Sequence, residues 1–157
     1  MAEHTRTKAF EIDKRTLYEC LTDLKVFGRF FHFVKGVECE DDEIKWLSRE
    51  PMAKFTSSPS LTAEIVSENY DSGKIGWKAH GPNFFAEGNF LIEETGPKEV
   101  NLTLQLRLTV SGPLRVTISP LLAANIKGQV GKFFSNLENF IRPVCPDPRG
   151  TGRREES

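Results

Sequence analysis

The stretch EVNLTLQLRLTV at residues 99–110 constrains the fold most, because apolar and polar residues alternate through it without a break. Successive side chains of a β-strand point to opposite faces of the sheet, so this alternation predicts a strand with one buried and one solvated face. The apolar row consists of Val100, Leu102, Leu104, Leu106, Leu108 and Val110. A sheet with one apolar face needs a second layer to cover it.

The segment SPLLAANIKGQVGKFFSNLENFI at residues 119–141 is the longest predicted helix and the only element long enough to be that layer. Ser119 is expected to be the N-cap, with Pro120 at the first helical position. Steps of four or three give an apolar stripe, with Phe134 and Ile141 at its edge. The stripe consists of Leu122, Ile126, Val130, Phe133, Leu137 and Phe140.

Shorter periodic segments complete the predicted order. A short strand over residues 6–12 precedes a helix that begins after Asp13 and ends near Leu24, and a second short helix follows. About six strands separated by turn-forming residues then lead to the long helix. Inward positions are predicted at Leu61, Ala63, Ile65, Ile75, Trp77, Ala79, Ala86, Gly88, Phe90 and Ile92, whereas the register of residues 34–50 stays open.

The second short helix lies in LKVFGRFFHFVKGV, residues 24–37, which is unusually rich in phenylalanine. If it is helical, the i, i+3 and i+4 spacing brings Phe27, Phe30 and Phe31 to one face, whereas Phe33 points elsewhere. Such a face needs an apolar surface to pack against, and the remainder of the chain must supply it.

Length and charge restrict the class of protein. The 157 residues suit one domain, which we place at residues 1–142, followed by a flexible polar tail at 143–157. With 21 basic and 22 acidic residues, no global field attracts nucleic acid or anionic lipid. We find no signal peptide and no apolar run long enough to span a bilayer, so the sequence predicts a cytoplasmic protein without an integral membrane segment.

The order of elements resembles the helix-grip fold of the SRPBCC superfamily, which includes START proteins, birch-pollen-allergen-type proteins and polyketide cyclases. Within it, VKGVE at residues 34–38 and the stretch at 108–140 look like the CoxG branch, which is associated with carbon monoxide dehydrogenase. Two departures matter. Lys35 stands where that branch often has proline, and the tail is too short and polar for the membrane-attaching extension of some members.

The resemblance implies an α+β fold in which a curved antiparallel sheet of about seven strands wraps the long helix and leaves a cavity. The second short helix would close one end of that cavity as an apolar lid. Small inward residues beside large rings also favour a cavity, although the phenylalanines of the lid could simply fill the core. The predicted lining is Phe27, Phe30, Phe31, Trp46, Ile65, Trp77, Ala79, Ala86, Gly88, Phe90, Leu104, Leu106, Val130, Phe133, Phe134 and Leu137.

The sequence names no catalytic residue, no metal site and no cofactor. His4 lies at the amino terminus, His80 is expected on the outer face, and only His32 lies near the proposed mouth, with no orienting partner for acid–base chemistry. The acidic run at residues 38–43 lacks the ligand spacing of an EF-hand and is typical of a solvated turn. Cys20, Cys39 and Cys145 show no disulfide or metal spacing.

Three hypotheses remain open. The first is a module that binds a hydrophobic small molecule, lipid-like or, by the CoxG resemblance, quinone-like. The second is a small cyclase or hydrolase that acts on a hydrophobic substrate. The third, again by resemblance, is an accessory, maturation or attachment factor for a molybdenum hydroxylase of the carbon monoxide dehydrogenase type. The sequence predicts neither the ligand nor the oligomeric state.

Overall fold

The structure, a computed structural model, describes residues 2–49, 60–113 and 115–141. The strands are β1 (Ala2–Phe10), β2 (Val34–Glu40), β3 (Glu43–Ser48), β4 (Ser60–Asn69), β5 (Lys74–Gly81), β6 (Phe84–Gly96) and β7 (Glu99–Val110). The helices are α1 (Lys14–Leu21), α2 (Leu24–Phe27) and α3 (Arg115–Ile141), and a 3₁₀ turn over Gly28–Phe30 follows α2. The predicted tail at 143–157 and Cys145 lie outside the described residues.

All seven strands form one antiparallel sheet in the order β1-β7-β6-β5-β4-β3-β2. Strands β2 to β7 follow one another as a meander, and β1 returns to pair with β7, so β1 and β2 are the two edges. The α3 helix covers one face of this sheet through an apolar layer. The predicted α+β helix-grip architecture is therefore confirmed.

The inward side chains follow the predicted period of two. Ala79 lies between Ala63 and Ala86 in the register, and Gly88 lies between Trp77 and Leu106. The inner residues of β7 are buried throughout, whereas Ile65, in the middle of β4 next to a register shift, is half-buried. The first strand, Ala2–Phe10, begins four residues before the predicted start at residue 6.

The α3 helix differs from the prediction at both ends. It begins at Arg115, so Ser119 is not its N-cap and Pro120 lies inside the helix. Near the other end, Phe134 is fully buried instead of lying at the edge of the stripe, whereas Phe140 is 58% exposed. The residues that α3 buries are Ile118, Leu122, Ile126, Val130, Phe133, Phe134 and Leu137.

The acidic run at residues 38–43 forms the β2–β3 hairpin. Asp41 and Asp42 have φ angles of 50° and 68°, the left-handed conformation that two-residue hairpin turns require. Glu40 and Glu43 face each other across the turn. This hairpin resolves the register that the sequence leaves open, and it directs Trp46 into the core.

Gly128 and Gly88 offer opposite surroundings for an added methyl group. A β-carbon built on Gly128 has no atom within 4 Å, because this position of α3 faces solvent. A β-carbon built on Gly88 overlaps the indole of Trp77, which lies directly over that glycine. The indole therefore uses the space that the missing side chain leaves.

We expect Gly128→Ala to raise the free energy of unfolding by about 0.5–1 kcal/mol, because alanine loses less backbone entropy in a helix. Gly88→Ala should lower it by about 1–3 kcal/mol, because Trp77 must leave its position. Urea denaturation of both variants measures the two effects. If Gly88→Ala were stabilising instead, the position of the Trp77 indole would not depend on the absence of a side chain at residue 88.

Candidate ligand-binding interior

The candidate site is the apolar interior between the inner face of the sheet and α3. Side chains of residues 24–33, here called the aromatic segment, enter it from one end. The inner register of the sheet and the buried stripe of α3 face this interior, and Phe27, Phe30 and Phe31 are packed within it. All of the predicted lining residues are buried except Ile65, which is half-buried. The predicted lining is therefore brought together in one interior.

The aromatic segment departs from the predicted single helix. Helix α2 ends at Phe27, the 3₁₀ turn ends at Phe30, and Phe31 is extended, with φ −79° and ψ 133°. Helical spacing no longer applies beyond Phe30, so Phe33 does not point away from the other rings as the helix predicts. It is buried, and its ring lies 5.4 Å from that of Phe31.

A ring of the aromatic segment occupies the centre of the interior. The ring of Phe31 lies 4.6 Å from that of Phe133 on α3 and 5.2 Å from that of Trp77 on the sheet, measured between centroids. Phe27 fills the neighbouring space, 5.3 Å from Phe90. The middle of the molecule is thus filled by side chains that come from a short connection between α1 and β2.

The backbone of the aromatic segment is held by two amide side chains of α3. The Phe33 N–H donates to Oε1 of Gln129 at 3.1 Å, and Nδ2 of Asn136 donates to the carbonyl of Phe30 at 2.8 Å. Gln129 and Asn136 are seven residues apart, so both lie on the same side of the helix two turns from each other. We call this pair the amide latch.

Gln129 and Asn136, the two residues of the amide latch, are not among the site residues that the sequence predicts. Its members are the polar residues that directly precede Val130 and Leu137 of the apolar stripe, and their seven-residue spacing was a usable signal. Polar residues beside a buried stripe are common on solvated helix faces, however, and only the position of the aromatic segment shows what these two side chains bind.

The two tryptophans differ in how their N–H groups are satisfied. Nε1 of Trp46 donates to the carbonyl of Leu24 at 3.1 Å. Nε1 of Trp77 is buried and has no hydrogen-bond partner, and Oγ of Ser48 is in the same condition. In the part of the chain that the structure describes, these are the unsatisfied side-chain polar atoms on the inner face of the sheet.

The edge of the interior next to the aromatic segment is apolar and reaches solvent. Phe30 is nearly buried, and its ring lies 5.3 Å from that of the exposed Phe140 near the end of α3. His32 is exposed just beyond, and Nε of Arg49 donates to its carbonyl at 2.8 Å. An apolar molecule that approaches this edge would meet Phe30 and Phe140 first.

Ionisable chemistry is sparse around this interior. Across residues 2–49, 60–113 and 115–141, Ser48 is the buried polar residue and no group of side chains has the arrangement of a metal site. Burial raises the pKa of the Cys20 thiol to about 11, and the carboxylate of Asp23 adds to the shift, so this thiol stays protonated at neutral pH. The interior offers apolar contact, the unpaired indole N–H of Trp77 and the unpaired hydroxyl of Ser48. No helix within the described residues is long and apolar enough to cross a bilayer.

No protein-family model matches the chain, and no curated protein matches its sequence. Solved structures do match its fold. A START superfamily protein from Mycobacterium smegmatis superposes with a TM-score of 0.65 and 14% identity, over 90% of this chain and 97% of that one. A conserved protein from Geobacillus kaustophilus gives 0.67 and 14%, over 88% and 93%.

A third match is the di-domain ARO/CYC BexL from the BE-7585A biosynthetic pathway, with a TM-score of 0.59 and 12% identity. The match covers 91% of this chain and 48% of that one. These structures do not support the finer resemblance to CoxG. The seven-stranded antiparallel sheet, the long C-terminal helix and the extent of these superpositions show that the chain has the helix-grip fold of START-like proteins.

Proposed function

We propose that the protein binds a hydrophobic small molecule, lipid-like or quinone-like, between the sheet and α3, and that it acts in the cytoplasm. The observation that carries this proposal is that the ring at the centre of the interior belongs to a connecting segment. Phe31 belongs to the connection between α1 and β2, and neither the sheet nor α3 supplies that ring.

A ring on a connection can leave without breaking the main elements. The Phe31 N–H donates to the carbonyl of Gly28 at 3.3 Å, and its own carbonyl accepts from the N–H of Val34 at 3.1 Å. Both bonds lie within residues 28–34. Withdrawal of Phe31 therefore costs local contacts and leaves the ladders of the sheet and the body of α3 in place.

The space that Phe31 would vacate has the composition of a site for an apolar ligand. Trp46, Trp77 and Phe133 would surround it, all of them fully or almost fully buried. Rings and aliphatic chains bind to such a surface through shape and apolar contact, and a few polar groups set their orientation. The START superfamily name of the Mycobacterium smegmatis structure supports the same class of function.

A small cyclase or hydrolase on a hydrophobic substrate is the alternative suggested by the ARO/CYC protein BexL. Such an enzyme needs an acid or base within reach of its substrate. In the described part of the interior, the buried polar residue is Ser48, and His32 lies outside at the surface. Binding without chemistry is therefore the proposal that these residues support better.

An accessory role for a carbon monoxide dehydrogenase-type enzyme rests on the sequence resemblance at residues 34–38 and 108–140. In the structure, these residues belong to β2 and to β7 with α3. They serve the packing of the fold and do not single out a partner surface. We keep this role as a second proposal, to be tested by co-purification with such an enzyme.

A ligand that binds only the folded protein should raise its stability. Palmitate or decylubiquinone at a hundredfold excess over Kd should add about 2.7 kcal/mol, a rise of several degrees in Tm for a domain of this size. AMP and glucose serve as controls of different chemistry and should leave Tm unchanged. If neither apolar compound shifts Tm, the aromatic segment is ordinary core and the binding proposal is wrong.

Loosening the amide latch should speed ligand exchange. Asn136→Ala removes the hydrogen bond to the Phe30 carbonyl, so we expect a loss of about 1 kcal/mol in stability and a several-fold faster release of bound ligand in stopped-flow measurements. Asn125→Ala is the matched control, because Asn125 lies on the same helix and its side chain donates to the Leu121 carbonyl of that helix. Equal release rates for the two variants would exclude the aromatic segment as the gate.

A further inference from the structure

We propose that the ligand carries an oxygen that accepts a hydrogen bond from Nε1 of Trp77, as a ketone, quinone, ester or carboxyl group does. This inference rests on the proposed function and adds the chemical class of the ligand. It predicts that a pure hydrocarbon of the same shape binds less tightly.

The Trp77 indole carries a buried donor without an acceptor. The side chain is 1% exposed, and its N–H has no hydrogen-bond partner among residues 2–49, 60–113 and 115–141. Buried donors are paired in the great majority of cases, because an unpaired one loses its hydrogen bond to water without replacement. Trp46, a neighbour at 5.3 Å between ring centroids, follows the rule through the carbonyl of Leu24.

The described side chains in ring contact with Trp77 are Phe27, Phe31, Trp46 and Phe90, and none of them carries a hydrogen-bond acceptor. The Trp77 indole lies over Gly88 and contacts the rings of Phe27, Phe31 and Phe90 at 5.6, 5.2 and 6.2 Å between centroids. A bound molecule can supply the acceptor that these neighbours lack.

The proposed movement of Phe31 would give that molecule access. Phe31 and Trp77 are in direct contact, so a ligand that replaces the Phe31 ring lies against the indole. An oxygen on such a ligand satisfies the N–H, whereas a C–H group in the same place leaves it unpaired. A protonated amine cannot serve, because it has no lone pair to accept the bond.

Acetophenone and ethylbenzene test this directly, because they have nearly the same size and only the first has a carbonyl oxygen. We expect acetophenone to bind about tenfold more tightly, as one net hydrogen bond would give. In ¹⁵N NMR spectra of the wild-type protein, which has two indole N–H signals, the Trp77 signal should move downfield with acetophenone but not with ethylbenzene.

Two variants provide a matched pair. Trp77→Phe removes the unpaired donor and should make the two compounds bind equally. Trp46→Phe removes an indole of the same size whose N–H is already paired, and it should keep the preference for acetophenone. The wild-type spectra decide the question by themselves if either variant fails to fold.

The outcomes separate the two proposals. Equal affinities in the wild-type protein with an unmoved Trp77 signal would overturn the acceptor inference and leave hydrophobic binding intact. Failure of acetophenone to bind at all would also overturn it, and only the additional failure of palmitate and decylubiquinone would overturn the proposed function. A preference that persists in Trp77→Phe would assign the acceptor to another donor.

Discussion

The contact of Phe31 with Phe133 and Trp77 fills the centre of the closed protein and joins three parts of the chain. Phe31 comes from the aromatic segment, Phe133 from α3 and Trp77 from the sheet, and the three rings lie within van der Waals reach. Each ring pair of this kind adds about 0.5–1.5 kcal/mol beyond the area that it buries. Phe31 therefore adds a link between the helix and the sheet, which also contact each other directly through Phe133 and Phe90.

The same contact sets the conditions for binding. A ligand that takes the place of Phe31 gains apolar contact but must first displace a ring that already makes it. Its apparent affinity is therefore its affinity for the open form multiplied by the fraction of molecules in that form. The amide latch of Gln129 and Asn136 adds to that cost through hydrogen bonds to the backbone of the segment. The stability of the closed form and the affinity for ligand are thus opposed in this protein.

Two glycines explain how the interior holds two indoles. Gly88 lies under Trp77, and Gly28, at the start of the 3₁₀ turn, lies under Trp46, where a side chain on either glycine would overlap the ring. The small residues of the inner face therefore accommodate large neighbours. They bring the rings close to the backbone, and this leaves the centre free for Phe31.

The period of two in β7 and its neighbours made the sheet predictable, because a single buried face imposes that pattern on every strand. The stripe of α3 was predictable for the same reason, apart from Phe140, which is exposed, and Phe134, which is buried and not at the edge of the stripe. The start of α3 was not, because a serine and proline that resemble a cap at residues 119 and 120 lie inside a longer helix. Phe33, Gln129 and the unpaired N–H of Trp77 depend on how the segments meet in space, which local periodicity does not encode.

Quenching of tryptophan fluorescence by a brominated fatty acid would report whether an apolar ligand enters the interior beside Phe31. Trp46 and Trp77 are the two tryptophans of the chain, and both lie in the interior. Bromine quenches on contact, so binding beside Phe31 should quench both residues, saturably and at one molecule per chain. Bromoacetate, the same quencher without the chain, should have no such effect. Quenching that rises linearly without saturation, and equally for both compounds, would contradict the account.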